Sequence, residues 1–490
     1  MSKYIPSTKY LNRATMLLFS EEFNINTHND TYYLINERIN DSLKLEKLLR
    51  SNGIAIKYKI SPGTSERLAF RYYLELISKD LKKHKYRSYT VPKGSLEARR
   101  ALAFCESLNS TIPFDAENFC LSIGSTGGIT LVFDYIKKTA PDKKIIIPVP
   151  TYYLYSQTSR YFNLAYKEIL CYKKVDNNIA SFINIDAIIE KTNKDTSLVV
   201  LINPSNPSGE IYSEDALRKI IKDAQKKGYL LLVDELFSDL AFSNFIPIVK
   251  IASELNALDK IIIIKGYSKN KNLAGLRLGY VYSKNRKIMD AIQNISEIRN
   301  CFPYGEQYTG LIVVDAFIQS VYLLIKNGYS LNSAISIVKK ELAFSTYISE
   351  KSKAELEILF SAYKKYFNYQ LHFYKNEYMR VKSLLKNEII LETPTKAAFN
   401  TFFKIRDLDD TNYFDFCFNL YLSTGVYTQI GPAFGLDQKT WQESRELGFW
   451  LRITFARDRK MMTEGIKRFI EFKKIYLNNP KKFIRTNLYF

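Results

Sequence analysis

The sequence predicts an α/β protein: a large domain on a mainly parallel seven-stranded sheet, joined to a smaller α+β domain. Three observations carry that expectation. From about residue 118, short β-branched and apolar runs alternate with longer helical patterns, as in a parallel sheet covered by helices on both faces. After residue 285 the texture changes to long Lys-, Glu- and Tyr-rich helical stretches. The 490 residues are 46% hydrophobic with 19 Gly and 14 Pro, so the chain can bury a large core and is neither disordered nor collagen-like.

Taken in order, residues 120–123 read as the first strand, followed by the turn Gly124-Ser125-Thr126-Gly127-Gly128 and a helix over 129–138. Strands follow at 144–149, 165–172 and 197–203, the last running into a Pro/Asn/Gly loop and a helix over 213–227 whose Ser213 reads as its cap. The patterns at 229–235, 261–267 and 276–282 bring the strands to seven. Beyond them lie helical stretches over 336–386 and short strands at 389–391 and 399–405, with the domain boundary expected on a continuous helix near 300–340.

The chain carries 71 Lys+Arg against 50 Asp+Glu, a net charge of +21. The basic residues are spread along its whole length without a nucleic-acid motif, so the charge reads as solvated surface and no nucleic-acid partner is expected. Cys105, Cys120, Cys171, Cys301 and Cys417 are scattered, as are His28, His84 and His372, which argues against a disulfide scaffold or a metal site. A cytoplasmic location follows from that cysteine usage. The stretch 311–325, interrupted by Asp315 and Gln319, falls short of a membrane span, and the N-terminus lacks a signal-peptide core.

Chemistry gathers at the expected strand ends, where open α/β sheets bind ligands. The turn at 124–128 offers backbone N–H groups, hydroxyls and a helix N-terminus to a phosphate. The other strand ends carry Asn203-Pro-Ser-Asn206-Pro-Ser-Gly209, then Asp234-Glu235-Leu-Phe237, then Ser268-Lys269-(x)5-Gly275-Leu-Arg277. A buried acid there needs a cation, and a lysine beside phosphate-type turns is what a Schiff-base site requires.

In the order of these four segments, from about Tyr89 to Phe455, the sequence resembles the pyridoxal-phosphate (PLP) enzymes of class I/II aminotransferase type, of fold type I. The resemblance implies that Lys269 forms the Schiff base with the cofactor and Arg277 grips its phosphate. Asp234 pairs with the pyridine nitrogen, Asn206 bonds the ring oxygen and lies near substrate, and Tyr152 stacks on the ring. Ser125, Thr126 and Ser268 join the cofactor set. Tyr89 resembles a tyrosine that reaches the phosphate of a neighbouring subunit, which implies a homodimer with shared active sites. Arg452, in Trp450-Leu-Arg-Ile-Thr, resembles the arginine that binds the substrate α-carboxylate. The domains implied are 1–85, an N-terminal segment forming part of the small domain and a wall of the substrate pocket, 86–335, the large PLP-binding domain, and 336–490, the C-terminal small domain.

The sequence departs from the family pattern in three places. Phe237 stands where a tyrosine is usual, Gly266 where a Ser or Thr is usual, and the glycine-bearing segment that usually lines the substrate pocket is not recognisable in 32–43. The expected activity is transfer of an amino group between an L-amino acid and a 2-oxo acid. A PLP lyase, cyclase or oxidase of specialised metabolism is the alternative, and a PLP-binding transcription regulator a more remote one. Arg299 falls where some relatives keep an arginine for a second substrate carboxylate, but in Glu-Ile-Arg-Asn it reads first as a helix-surface arginine.

Overall fold

All seven expected strands meet in one sheet: β1 (Phe119–Ile123), β2 (Lys144–Val149), β3 (Tyr166–Leu170), β4 (Thr196–Ile202), β5 (Leu230–Asp234), β6 (Ile261–Gly266) and β7 (Leu278–Tyr282). The computed structural model describes residues 4–20, 32–87, 89–299, 306–444, 446–486 and 488; His28 and Cys301 lie outside them. The strand order is β1-β7-β6-β5-β4-β2-β3, parallel throughout except that β7 runs against both of its neighbours. The inner strands are buried on both faces because helices cover both, and every residue of β4, Thr-Ser-Leu-Val-Val-Leu-Ile, is buried, whereas the edge strand β3, Tyr-Lys-Glu-Ile-Leu, is only partly so. The helix Glu214–Lys227 starts as expected, with the Ser213 hydroxyl accepting from Ala216 N–H, and ends at Gly228 in the left-handed conformation (φ 85°). The helix after β1 spans Gly124–Thr139, five residues earlier than expected (129 − 124), because the glycines that read as a turn form its first turn.

The C-terminal part holds a second sheet of four strands, β8 (Ile389–Glu392), β9 (Asn400–Ile405), β10 (Gln429–Ile430) and β11 (Trp450–Thr454), ordered β8-β9-β11-β10. In it Arg452 pairs with Phe402 on one side and Gln429 on the other. The N-terminal segment packs on this part: Tyr58–Lys59 pairs with Val426–Tyr427, Tyr10 donates to Leu422 O (2.9 Å), and Asn36 donates to Thr428 O (2.7 Å). The helix Arg71–Lys82 belongs elsewhere, with Tyr73 donating to Asp315 (2.6 Å) in the helix Thr309–Lys326.

No continuous helix covers 300–340. The boundary expected at 335–336 falls inside the helix Leu331–Glu341, and the 33-residue helix Lys353–Leu385 contributes side chains to both apolar clusters of the fold. Its start is set by a capping box between Ser352 and Glu355. Leu356, Leu359, Phe360 and Tyr363 on its first half belong to the apolar cluster that holds Leu311–Val321 side chains, whereas Tyr374, Val381 and Leu385 belong to the cluster that holds Phe402 and Ile453 of β9 and β11. The stretch Glu306–Lys326 is, against expectation, long and apolar enough to cross a membrane by length and composition, yet 72% of its most apolar window is buried within this fold. It is apolar all round because it is a core helix.

Candidate active site

The carboxyl edge of the large sheet assembles the cleft. The N-terminus of the helix Gly124–Thr139 follows β1, Tyr152 follows β2, Asn206 follows β4, Asp234 ends β5, and Ser268 and Lys269 follow β6. Arg277 precedes β7, and only the reversed direction of β7 brings that residue to the same edge, where Gly124 N–H donates to Arg277 O (2.7 Å). Ser125, Thr126, Tyr152, Asn206, Asp234, Ser268, Lys269, Arg277 and Arg452 all line this one cleft.

Its anion corner is tight. Gly124 (φ +62°) takes a conformation that L side chains rarely adopt, and a Cβ there would come within 2.9 Å of the Arg277 guanidinium. A Cβ on Gly279 would stand 2.6 Å from the carbonyl carbon of Gly124 and 2.9 Å from Ser125 N, so β7 and the helix start are in direct backbone contact. Free helix N–H groups, the Ser125 and Thr126 side chains and a guanidinium thus converge on one anion-sized corner. Gly266 is explained by the same closeness: a Cβ there would lie 3.1 Å from Leu278 O.

Burial raises the proton affinity of the Asp234 carboxyl to about 6, opposed by the Tyr155 hydroxyl (2.8 Å), the Leu236 N–H (3.0 Å) and the charge of Lys269. Burial, then repulsion from Arg452 and Arg277, lowers the Lys269 amine to about 8 against the pull of Asp234; its Nζ donates to Gly63 O. Burial lowers Arg452 to about 10, so it stays cationic near neutrality. Its Nη1 donates to Asn206 (3.1 Å), its Nη2 to Ser61 O (2.6 Å) and Gln429 (2.5 Å), and its Nε has no partner among the described residues. Phe434 lies under the guanidinium at 4.8 Å.

Several lining residues escaped sequence reasoning. Gly63 and Thr64 supply the N-terminal wall, so the glycine sought in 32–43 lies further on, in Ser61-Pro-Gly-Thr64; the Pro-Gly pair was its visible signal. Tyr33 and Tyr153 stack at 3.6 Å between ring centres and line the cleft beside Tyr152. Tyr155, fully buried under Asp234, carried no signal beyond the run of tyrosines. Phe237 lines the cleft edge-on to Phe399 (5.3 Å) and brings no hydroxyl. Arg299 does not line the cleft of its own chain; it donates to Asp134 (2.7 Å) and lies over Phe162. Tyr89 is 95% exposed and outside its own chain's cleft.

The profile of the family described as aminotransferase class I and II matches residues 73–469. The chain belongs to that family. The "Probable aminotransferase TAT2" of Arabidopsis thaliana is 25% identical over 424 residues, covering 83% of this chain and 85% of that protein. The "S-alkyl-thiohydroximate lyase SUR1" of the same plant is 28% identical over 207 residues, covering 41% of this chain and 42% of its own. In fold, a Thermus thermophilus aspartate aminotransferase double mutant superposes with a TM-score of 0.67 at 15% identity, covering 91% of this chain and 97% of the other. The fold is therefore that of the fold type I aminotransferases.

Class I and II aminotransferases use pyridoxal phosphate. The residues present fit it: a helix start held in backbone contact with Gly279, an anion corner closed by Arg277, a buried carboxylate whose raised proton affinity marks it as short of a cation, and an amine of lowered proton affinity.

Proposed function

We propose that this enzyme is a PLP-dependent aminotransferase that moves an amino group between an L-amino acid and a 2-oxo acid. The observation that carries the reading is one cleft holding Lys269 with a weakened hold on its proton and, facing it, Arg452 with an unpartnered Nε. Arg277, Ser125, Thr126 and Ser268 would hold the cofactor phosphate, Asp234 the ring nitrogen, Asn206 the ring oxygen and Tyr152 the ring face. Bound there, the cofactor supplies an electron sink that makes the substrate Cα–H acidic. Arg452 pairs with the α-carboxylate and so fixes how Cα presents its hydrogen. Lys269 Nζ, its hold on a proton weakened to about 8, would take the proton from Cα and deliver it to the cofactor side rather than back to Cα, which is what leaves the amino group behind. Tyr89, exposed and remote from its own cleft, suits a homodimer in which it completes the neighbouring site. The buried cysteines Cys105, Cys120, Cys171 and Cys417, none of them in a disulfide, suit a reducing cytoplasm.

Incubation of the loaded enzyme with a panel of amino acids and 2-oxoglutarate tests the reading: glutamate forms at the expense of one or more amino acids, and Lys269→Ala abolishes it. Two observations favour a lyase as the second reading, namely Phe237 without a hydroxyl at the cleft and the stretch shared with a lyase. Ammonia or thiol release without glutamate would decide for it.

A further inference from the structure

The Arg452 guanidinium is held by a neutral side chain that is itself held by an anion. Arg452 Nη2 donates to Gln429 Oε1 (2.5 Å), directly across the strand pair, and Gln429 Nε2 donates to Glu37 Oε1 (2.9 Å). The Tyr427 hydroxyl donates to the same Glu37 oxygen and accepts from Gln429 Nε2 (3.0 Å). An amide can present either its oxygen or its nitrogen, and a carboxylate can only accept. Glu37 and Arg452 thus fix Gln429 from its two ends: the amide nitrogen is drawn to Glu37, and the oxygen accepts from the guanidinium. Asn36, next in the helix Tyr32–Asp41, donates to Thr428 O (2.7 Å) and pins the helix to the strand residues beside Gln429.

We propose that Glu37 is a positioning residue for substrate: acting through Gln429, it orients Arg452 for the α-carboxylate without neutralising it. The inference rests on the reading of Arg452 as the carboxylate-binding group. A carboxylate at 429 would occupy the guanidinium and compete with the substrate; the amide bonds it and leaves its positive charge for the ligand. The anion sits one side chain away, where it sets the amide's direction. The relay joins three parts of the chain, and Glu37 comes from the N-terminal segment with no family motif around it.

The test uses the holoenzyme and its Glu37→Leu, Glu37→Gln and Gln429→Glu variants. Calorimetry measures binding of 3-phenylpropanoate and 3-methylbutanoate, carboxylates with no amino group to react. Steady-state kinetics with the best amino acid, and single-turnover reaction with phenethylamine, which has no carboxylate, complete the set. Glu37→Leu is expected to weaken carboxylate binding and raise KM roughly ten- to hundred-fold, with kcat changed less, because a hydrogen bond to a charged group is lost. Glu37→Gln keeps an acceptor and should recover part of the loss. Gln429→Glu should weaken carboxylate binding at least as much as Glu37→Leu. The phenethylamine rate should be the same in wild type and the two Glu37 variants. Equal carboxylate affinity in wild type and Glu37→Leu overturns the proposal, as does an equal loss with phenethylamine or no carboxylate binding by the wild type. Should carboxylates bind as expected while no amino group is transferred, the proposed reaction falls and the relay stands.

Discussion

Replacing Lys269 by Met is expected to stabilise the cofactor-free protein. The amine is held among Arg452, Arg277 and apolar walls, and its proton affinity falls from 10.5 to about 8, mainly through burial. That drop corresponds to roughly 3 kcal/mol disfavouring the charged form in the fold. Methionine has a similar length and no charge, so the variant escapes this cost and forfeits the hydrogen bond to Gly63 O, worth about 1 kcal/mol. The net expectation is about 2 kcal/mol of added stability at pH 7. The sign follows from proton binding: between pH 8 and 10.5 the unfolded chain still holds the proton and the folded one does not, so wild-type stability rises across that window. The advantage of Lys269→Met should therefore be full below pH 8 and gone by about pH 10.5. Urea unfolding of both apoproteins at intervals from pH 6 to 11 measures it. A variant no more stable than wild type at pH 7, or a difference that does not change with pH, would refute the reasoning.

Four further substitutions test the cleft and its surroundings. Gly279→Ala places a methyl against backbone atoms 2.6 and 2.9 Å away that cannot swing aside, so denaturant unfolding should show a loss of about 1–3 kcal/mol and reconstitution should show weakened cofactor binding. Gly275→Ala, with nothing within 4 Å, should change stability by no more than about 0.5 kcal/mol, and equal effects at the two glycines would contradict the backbone contact at Gly279. Tyr155→Phe removes a 2.8 Å hydrogen bond to Asp234, and cofactor affinity, measured by titrating apoenzyme, should fall about ten-fold or more. Phe237→Tyr offers the cofactor's ring oxygen a hydrogen bond that favours its ionised form; the pH titration of the bound cofactor's absorption should move to lower pH, and an unmoved titration would show that the hydroxyl does not reach.

The seven strands of the large sheet were legible because each is a short apolar run closed by a polar end, and their observed limits differ from the expected ones by at most two residues. The residues at those ends were legible for the same reason: in a parallel sheet, whatever follows a strand stands at one common edge. Lys269, Asp234, Asn206 and the turn after β1 owe their convergence to that rule. The start of the helix at Gly124 was misread because glycines signal a break, whereas here they let backbone approach backbone and a ligand.

The sequence by itself determined the alternation of strand and helix, the order of the sheet-edge motifs, and hence the family and the chemistry of the cofactor corner. Tertiary structure alone decided who faces Arg452. Ser61 lies 391 positions before it, Asn206 246 and Gln429 23, and Glu37 lies 392 before Gln429; no local period links them. Nor could the sequence show that Tyr155 supports Asp234, since a buried tyrosine reads the same whether or not its hydroxyl meets a carboxylate. Local patterning reflects burial and backbone preference, which act over a few residues. The substrate end of the cleft is built from strands and a helix that meet only after the chain has closed on itself, and their partners are set by packing between segments hundreds of positions apart.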